Sequence, residues 1–178
     1  GYDNLIKIVS YGFKDGFYYK PRVDIELLEK YHEGIIALSA CLAGPVARTI
    51  IRQGYDKAKE VALRYNNIFG ENNFFLELQD HMDGSVDQQT VNQSLMRMHQ
   101  ETGIPLVATN DCHYISPEDA EAHDILLCIQ TNTTVDEADR MRYEGGQYYV
   151  KSPEEMYSLF PYAHQACENT YKIAQRCN

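Results

Sequence analysis

Three stretches of this chain carry side chains able to bind a metal or move a proton, and each follows a short apolar run. Ser39-Ala40-Cys41 follows Ile35–Leu38, Gln79-Asp80-His81 follows Phe74–Leu78, and Asn110-Asp111-Cys112-His113-Tyr114 follows Leu106–Thr109. The last is the most pointed. Asp111 and His113 stand two positions apart, so on extended backbone their side chains project to the same side. A carboxylate oxygen beside an imidazole nitrogen suits a Zn²⁺ or Mn²⁺ ion. An Asx turn followed by a surface histidine leaves the same pattern, so the spacing alone keeps both readings open. Cys41 is either a soft ligand to the same ion or a small buried apolar residue. Asp80 and His81 could line the site too, although Met82-Asp83-Gly84-Ser85 after them reads as a turn. Glu77, inside the second apolar run, could face the interior of a barrel. His123, just before Asp124 on a helix, serves packing or the site. Lys20 and Arg22 flank Pro21 beside Phe17, Tyr18 and Tyr19; that loop is a phosphate or nucleic-acid contact, or a solvated loop with tyrosine packing.

The elements that must position these residues follow from hydrophobic spacing. Leu5, Ile8, Val9 and Gly12 predict a helix over 4–13 with Asp3 as its cap, and Asp24 caps a short helix through Tyr31. Ile35–Leu38 has strand length. Val46, Ile50 and Ile51 mark a helix closed by Gly54, and Ala58, Val61, Ala62, Tyr65 and Ile68 one closed by Gly70. Phe74–Leu78 is a second strand, Val91, Leu95 and Met98 define a helix ending at Gly103, and Leu106–Thr109 is a third strand. Pro117 opens a helix whose Ala122, Ile125, Leu126 and Ile129 share a face. Gln147–Lys151 is a fourth strand candidate, and Ser152-Pro153-Glu154-Glu155 starts the terminal helices. Strands alternating with helices predict an α/β fold with a parallel sheet covered by helices. In such folds functional residues gather past the C-terminal strand ends, where all three chemistry-bearing stretches lie.

Composition narrows the classes. The 178 residues are 44% hydrophobic and 24% charged, with a net charge of −10. That supports a packed core and argues against disorder. It also argues against non-specific nucleic-acid gripping and against an anionic membrane surface. The five cysteines are widely spaced without a CxxC pair, which speaks for reduced thiols rather than a disulfide framework or a zinc ribbon. With no signal peptide and no membrane-length apolar run, a cytoplasmic location is expected. The chain opens Gly1-Tyr2-Asp3 and ends Arg176-Cys177-Asn178 inside a helical pattern, so it is expected to be a piece of a longer protein. No serine elbow, Walker loop, dinucleotide glycine fingerprint or HxH is present. Cys41, Asp111 and His113 are then only three ligands, and a hydrolytic cluster of two or three ions needs more.

Longer blocks go further. "GFYYKPRVD", "IIALSACLAG", "FFLELQDH", "IPLVATNDCHY", "EDAEAHDILLCIQT" and "RMRYEGGQYYVKSPEEM" resemble, in order and over essentially the whole chain, the alpha-subunit family of bacterial DNA polymerase III. They resemble its N-terminal PHP (polymerase and histidinol phosphatase) domain. The resemblance implies part of a distorted (β/α)₇ barrel, with mostly parallel strands, covering helices and C-terminal helices leading towards the polymerase body. It places the later portion of the PHP domain at 1–130, and the domain's end with connecting helices at 131–178. It makes Cys41, Asp111 and His113 ligands of a divalent metal, Zn or Mn, in the intact protein. The family's HxH and further ligands are expected upstream, and the Mg-dependent polymerising carboxylates downstream. Two roles for the PHP part follow: a metal-dependent 3′–5′ exonuclease, or a scaffold that docks a separate proofreading exonuclease. A stand-alone PHP phosphoesterase is a third. Implied partners are DNA, deoxynucleotides, the sliding clamp and other polymerase III subunits. The isolated chain is expected to be inactive, with weak metal affinity, and to cover exposed apolar faces by forming a homodimer or an open sheet.

Overall fold

The computed structural model describes residues 1–177. Among the described residues are eight α-helices and three β-strands. The helices are α1 (Tyr2–Lys14), α2 (Ile25–Tyr31), α3 (Pro45–Gln53), α4 (Tyr55–Phe69), α5 (Val86–Thr102), α6 (Ala120–Thr131), α7 (Pro153–Leu159) and α8 (His164–Arg176). The strands are β1 (Ala37–Leu38), β2 (Phe74–Leu78) and β3 (Leu106–Ala108), in the order β1-β2-β3. β1 runs parallel to β2, with Ala37 opposite Phe74 and Leu38 opposite Phe75. Between β2 and β3, Leu76 donates its N–H to the Pro105 carbonyl at 2.9 Å, and Thr109 donates to Leu78 at 3.0 Å. That slanted exchange is the parallel pattern.

The chain forms two compact units: Gly1–Glu77 with Ser94–Leu106, and Leu78–Gln93 with Val107–Asn178. In the first, Val46, Ala47 and Ile50 of α3, Ala58 and Ala62 of α4, Phe74, Phe75 and Leu76 of β2, and Leu95 and Met98 of α5 are buried. Tyr65 and Phe69 of α4 stack on Phe74 at 5.7 and 6.5 Å between ring centres. In the second, Leu78, Val91, Val107, Ala108, Leu127, Cys128, Phe160, Ala163, Ala166 and Cys167 are buried. β3 is buried throughout and β2 at every position but the half-buried Glu77, as expected of parallel strands covered on both sides.

The expected elements are present with specific differences. The first strand shrinks to Ala37–Leu38. Gly1 rather than Asp3 occupies the N-cap of α1, and Asp3 sits in the first turn. Asp24 does cap α2, its carboxylate accepting from the Leu27 N–H at 2.8 Å. Ser152 and Glu155 close a capping box at the start of α7. Pro117 opens a 3-10 turn, and α6 begins at Ala120. The face of α6 expected to pack is not the buried one: Ile125, Leu126 and Ile129 are exposed, and Leu127 and Cys128 are buried. Ile125 to Ile129 is apolar all round, so its spacing selects no face. Gln147–Lys151 forms no strand. Its carbonyls are engaged by a loop rather than by a ladder.

Candidate functional site

The residues singled out from the sequence fall into two groups, one in each unit. In the first unit, β1 leads into a tight loop from Ser39 to Gly44. The Gly44 N–H donates to the Cys41 carbonyl at 2.8 Å, and a side chain at Gly44 would meet the Ser39 carbonyl oxygen at 2.3 Å. Ala40 takes a left-handed conformation, φ +65°, which an alanine adopts only under constraint. The constraint is Glu77: its carboxylate accepts the Ala40 N–H at 3.0 Å, while the Glu77 N–H donates to Ser39 Oγ at 2.9 Å. Glu77 is thus half-buried beside the loop that presents Cys41, and the Cys41 thiol is exposed and free of disulfides. Cys41 is not the buried apolar residue that was the alternative reading.

In the second unit, β3 leads directly into the D-x-H loop. Asp111 is left-handed, φ +48°, so the two side chains do not meet by strand alternation. They meet because the chain kinks at Asp111. His113 Nε2 lies 3.5 Å from Asp111 Oδ1. The loop is held by the irregular segment from residue 147 to 150. Asn110, buried, donates both amide hydrogens, to the carbonyls of Gln147 at 2.9 Å and Tyr149 at 2.7 Å. The His113 N–H donates to the Tyr148 carbonyl at 2.7 Å, and the Tyr148 N–H to the Tyr114 hydroxyl at 3.2 Å.

Rings gather around this loop. Tyr143 lies 4.4 Å from His113 and 4.8 Å, edge-on, from Tyr148. His81 stacks on Tyr148 at 4.3 Å. His123 of α6 lies 5.4 Å from His113 and 5.2 Å from Tyr143. His81 and His123 therefore belong with Asp111 and His113. Asp80 accepts the Met82 N–H at 2.8 Å in an Asx turn, and its charge also acts on His81. Burial pushes the His81 imidazole below its usual range, against the opposing pull of Asp111 and Asp83, so its ring is neutral at pH 7. Its Nδ1 is buried without a hydrogen-bond partner. Burial, then the charges of Asp83 and Asp111, raise the Tyr148 phenol.

Sequence reasoning missed Asn110, Tyr143 and Tyr148 as parts of this site. Tyr148 lay inside Gln147–Lys151, which read as a strand.

The donor set meets part of what a divalent metal requires. Two ligand atoms on one zinc ion, each about 2.0–2.2 Å from it, sit about 3 Å or a little more apart, so the 3.5 Å between Asp111 and His113 fits adjacent ligands of one ion. Among the described residues no group of three or more His, Cys, Asp or Glu is arranged to hold a metal. The pair supplies two of the three or four protein ligands that a zinc site uses.

Comparison with known proteins adds an independent line. Residues 1–81 match the PHP domain family. The chain is 44% identical over 178 residues to DNA polymerase III subunit alpha of Borreliella burgdorferi, and 43% identical over 178 residues to that of Treponema pallidum. It is 41% identical over 181 aligned positions to the same subunit of Thermus aquaticus. In each case all of this chain is covered and 15% of the relative. No helix among the described residues is long and apolar enough to cross a membrane.

Proposed function

We propose that this chain is a segment of a bacterial DNA polymerase III alpha subunit, the later part of its PHP region with the start of the connection to the polymerase body. Residues 1–130 would be the PHP portion and 131–178 the end of that domain with its connecting helices. Similarity that continues past residue 81 to the end of the chain favours this over a stand-alone PHP phosphoesterase. In the whole protein the activity is template-directed DNA synthesis from deoxynucleotides, with Mg²⁺ at carboxylates outside this chain. The partners are DNA and the other polymerase III subunits, the sliding clamp among them.

Within that protein, Asp111 and His113 of the second unit, and Cys41 of the first, are this chain's ligands for divalent metal, Zn²⁺ or Mn²⁺, in 3′–5′ hydrolysis of a phosphodiester. The observation that carries this reading is the Asp111–His113 pair at the C-terminal end of β3, 3.5 Å apart. Asp111 and His113 would hold the metal, which when bound would supply activation of water and neutralisation of charge on the phosphate. The chain's own residues orient the ligands: the kink at Asp111 aims the carboxylate, Asn110 and Tyr148 fix the loop backbone, and the rings of Tyr143 and Tyr148 pack against the His113 imidazole.

A second reading is a scaffold that docks a separate proofreading exonuclease. The absence of a three-donor group among the described residues and the net charge of −10 favour it. Metal content separates the two. In the intact protein, Asp111→Asn, His113→Ala and Cys41→Ala are each expected to lower bound Zn or Mn by elemental analysis and to abolish metal-dependent release of nucleotides from a 3′ end. Unchanged metal content in all three variants would overturn the hydrolytic reading and leave the scaffold.

A further inference from the structure

We propose that the loop from Gly16 to Arg22 is a binding platform for single-stranded DNA, with Tyr18 and Tyr19 as stacking surfaces and Lys20 and Arg22 as phosphate contacts. The choice of DNA rests on the function proposed above; the platform itself rests on different residues.

The loop is preorganised. Its two ends cross so closely that a side chain at Gly16 would lie 2.0 Å from the Arg22 carbonyl oxygen. The Tyr18 N–H donates to the Lys20 carbonyl at 3.2 Å, and Pro21 fixes the backbone before Arg22. Tyr19 at the tip is left-handed, φ +60°, an outlier for a bulky residue. The strain holds an aromatic ring out in water: Phe17, Tyr18 and Tyr19 are 56%, 63% and 82% exposed. Tyr18 and Tyr19 pack edge-on at 4.6 Å, which presents two ring faces in different planes.

Charge singles out the same loop. From 14 to 22 there are three cations, Lys14, Lys20 and Arg22, against one acid, Asp15, in a chain of net charge −10. Lys14 occupies the last turn of α1 and offsets that helix's negative end. Asp24, the next acid, is occupied as the α2 cap. The Arg22 guanidinium lies 5.3 Å from the Tyr18 ring centre, an arrangement that leaves its N–H donors free. Neither Lys20 nor Arg22 is in an ion pair or a side-chain hydrogen bond among the described residues. Exposed rings interleaved with unpaired cations recognise an unpaired strand: every base has a face to stack, and the backbone between bases carries the anion. A duplex hides those faces, so it is not the ligand.

The test uses the intact protein and a short oligodeoxythymidylate carrying 5-iodo-2′-deoxyuridine, which on irradiation bonds to the aromatic residue it stacks on. Peptide mapping is expected to place an adduct on Tyr18 or Tyr19. Lys20→Gln with Arg22→Gln is expected to lower the yield of that adduct about five-fold or more at moderate salt, and to reduce its salt dependence. Both side chains are exposed, so the fold is not at stake. Adducts confined to other peptides, equal yield with a duplex or with RNA, or protection of the loop by a protein subunit without any adduct would each overturn the proposal. The readout is local and independent of metal content, so it fails separately from the hydrolytic reading.

Discussion

Asn110 faces two carbonyl oxygens with its amide nitrogen, and that choice of side chain decides whether the D-x-H loop closes. The nitrogen donates to Gln147 and Tyr149 from a buried position, while its Oδ1 is buried without a partner. Asn110→Asp would set a carboxylate against those carbonyls and remove both donors. The expected cost is about 2–4 kcal/mol of stability, read by urea denaturation, with loss of the Asp111–His113 geometry. Stability within about 0.5 kcal/mol of wild type would show that the clamp contributes little. The residue was legible in the sequence as part of "TNDCHY", but its role was not. Its partners lie 37 and 39 positions away, and no local periodicity carries information across that distance. Asp111 illustrates the same limit at shorter range. Its pairing with His113 was readable from the spacing, but the left-handed backbone that produces the pairing was not.

In the first unit one carboxylate bridges α4 and α5. Glu101 of α5 accepts from Lys59 of α4 at 2.7 Å, from Arg97 at 2.7 Å and from the Tyr55 hydroxyl at 2.8 Å. Those bonds, Lys59 first, hold Glu101 down to about 2, and burial followed by Glu101 itself pushes Tyr55 up to about 12. A carboxylate depressed on folding stabilises fully above its unfolded pKa, about 4.3. That contribution is lost as pH falls towards 2. Wild-type stability is therefore expected to decline between about pH 4.5 and 2 more steeply than that of Glu101→Gln, measured by thermal unfolding across that window; parallel profiles would refute it. β2 and β3 were legible because long apolar runs between turn residues have few other readings. α6 was legible as a helix but not in its orientation. Gln147–Lys151 was misread as a strand because Tyr148, Tyr149 and Val150 are all residue types that strands favour, and only the receiving loop decides where the carbonyls of this segment go.

At the scale of the whole molecule, each unit exposes an apolar helical face. In the first, Leu5, Ile6, Val9 and Phe13 of α1 are exposed, and in the second Ile125, Leu126 and Ile129 of α6. Faces of this kind mark association sites. The isolated chain is expected to show a mass in light scattering that rises with concentration. Val9→Glu or Leu126→Glu should return it towards a monomer, and a monomer at every concentration in the unsubstituted chain would contradict this. The clamp between Asn110 and residues 147–150 bears in addition on how the protein is made. A ribosome delivers β3 and the D-x-H loop roughly forty residues before the segment that receives the hydrogen bonds of Asn110 and His113. At elongation rates of about 5–20 residues per second, the nascent loop waits seconds with its donors in water. The Asp111–His113 pair is therefore a late product of translation, set only when the tyrosine-rich segment has emerged.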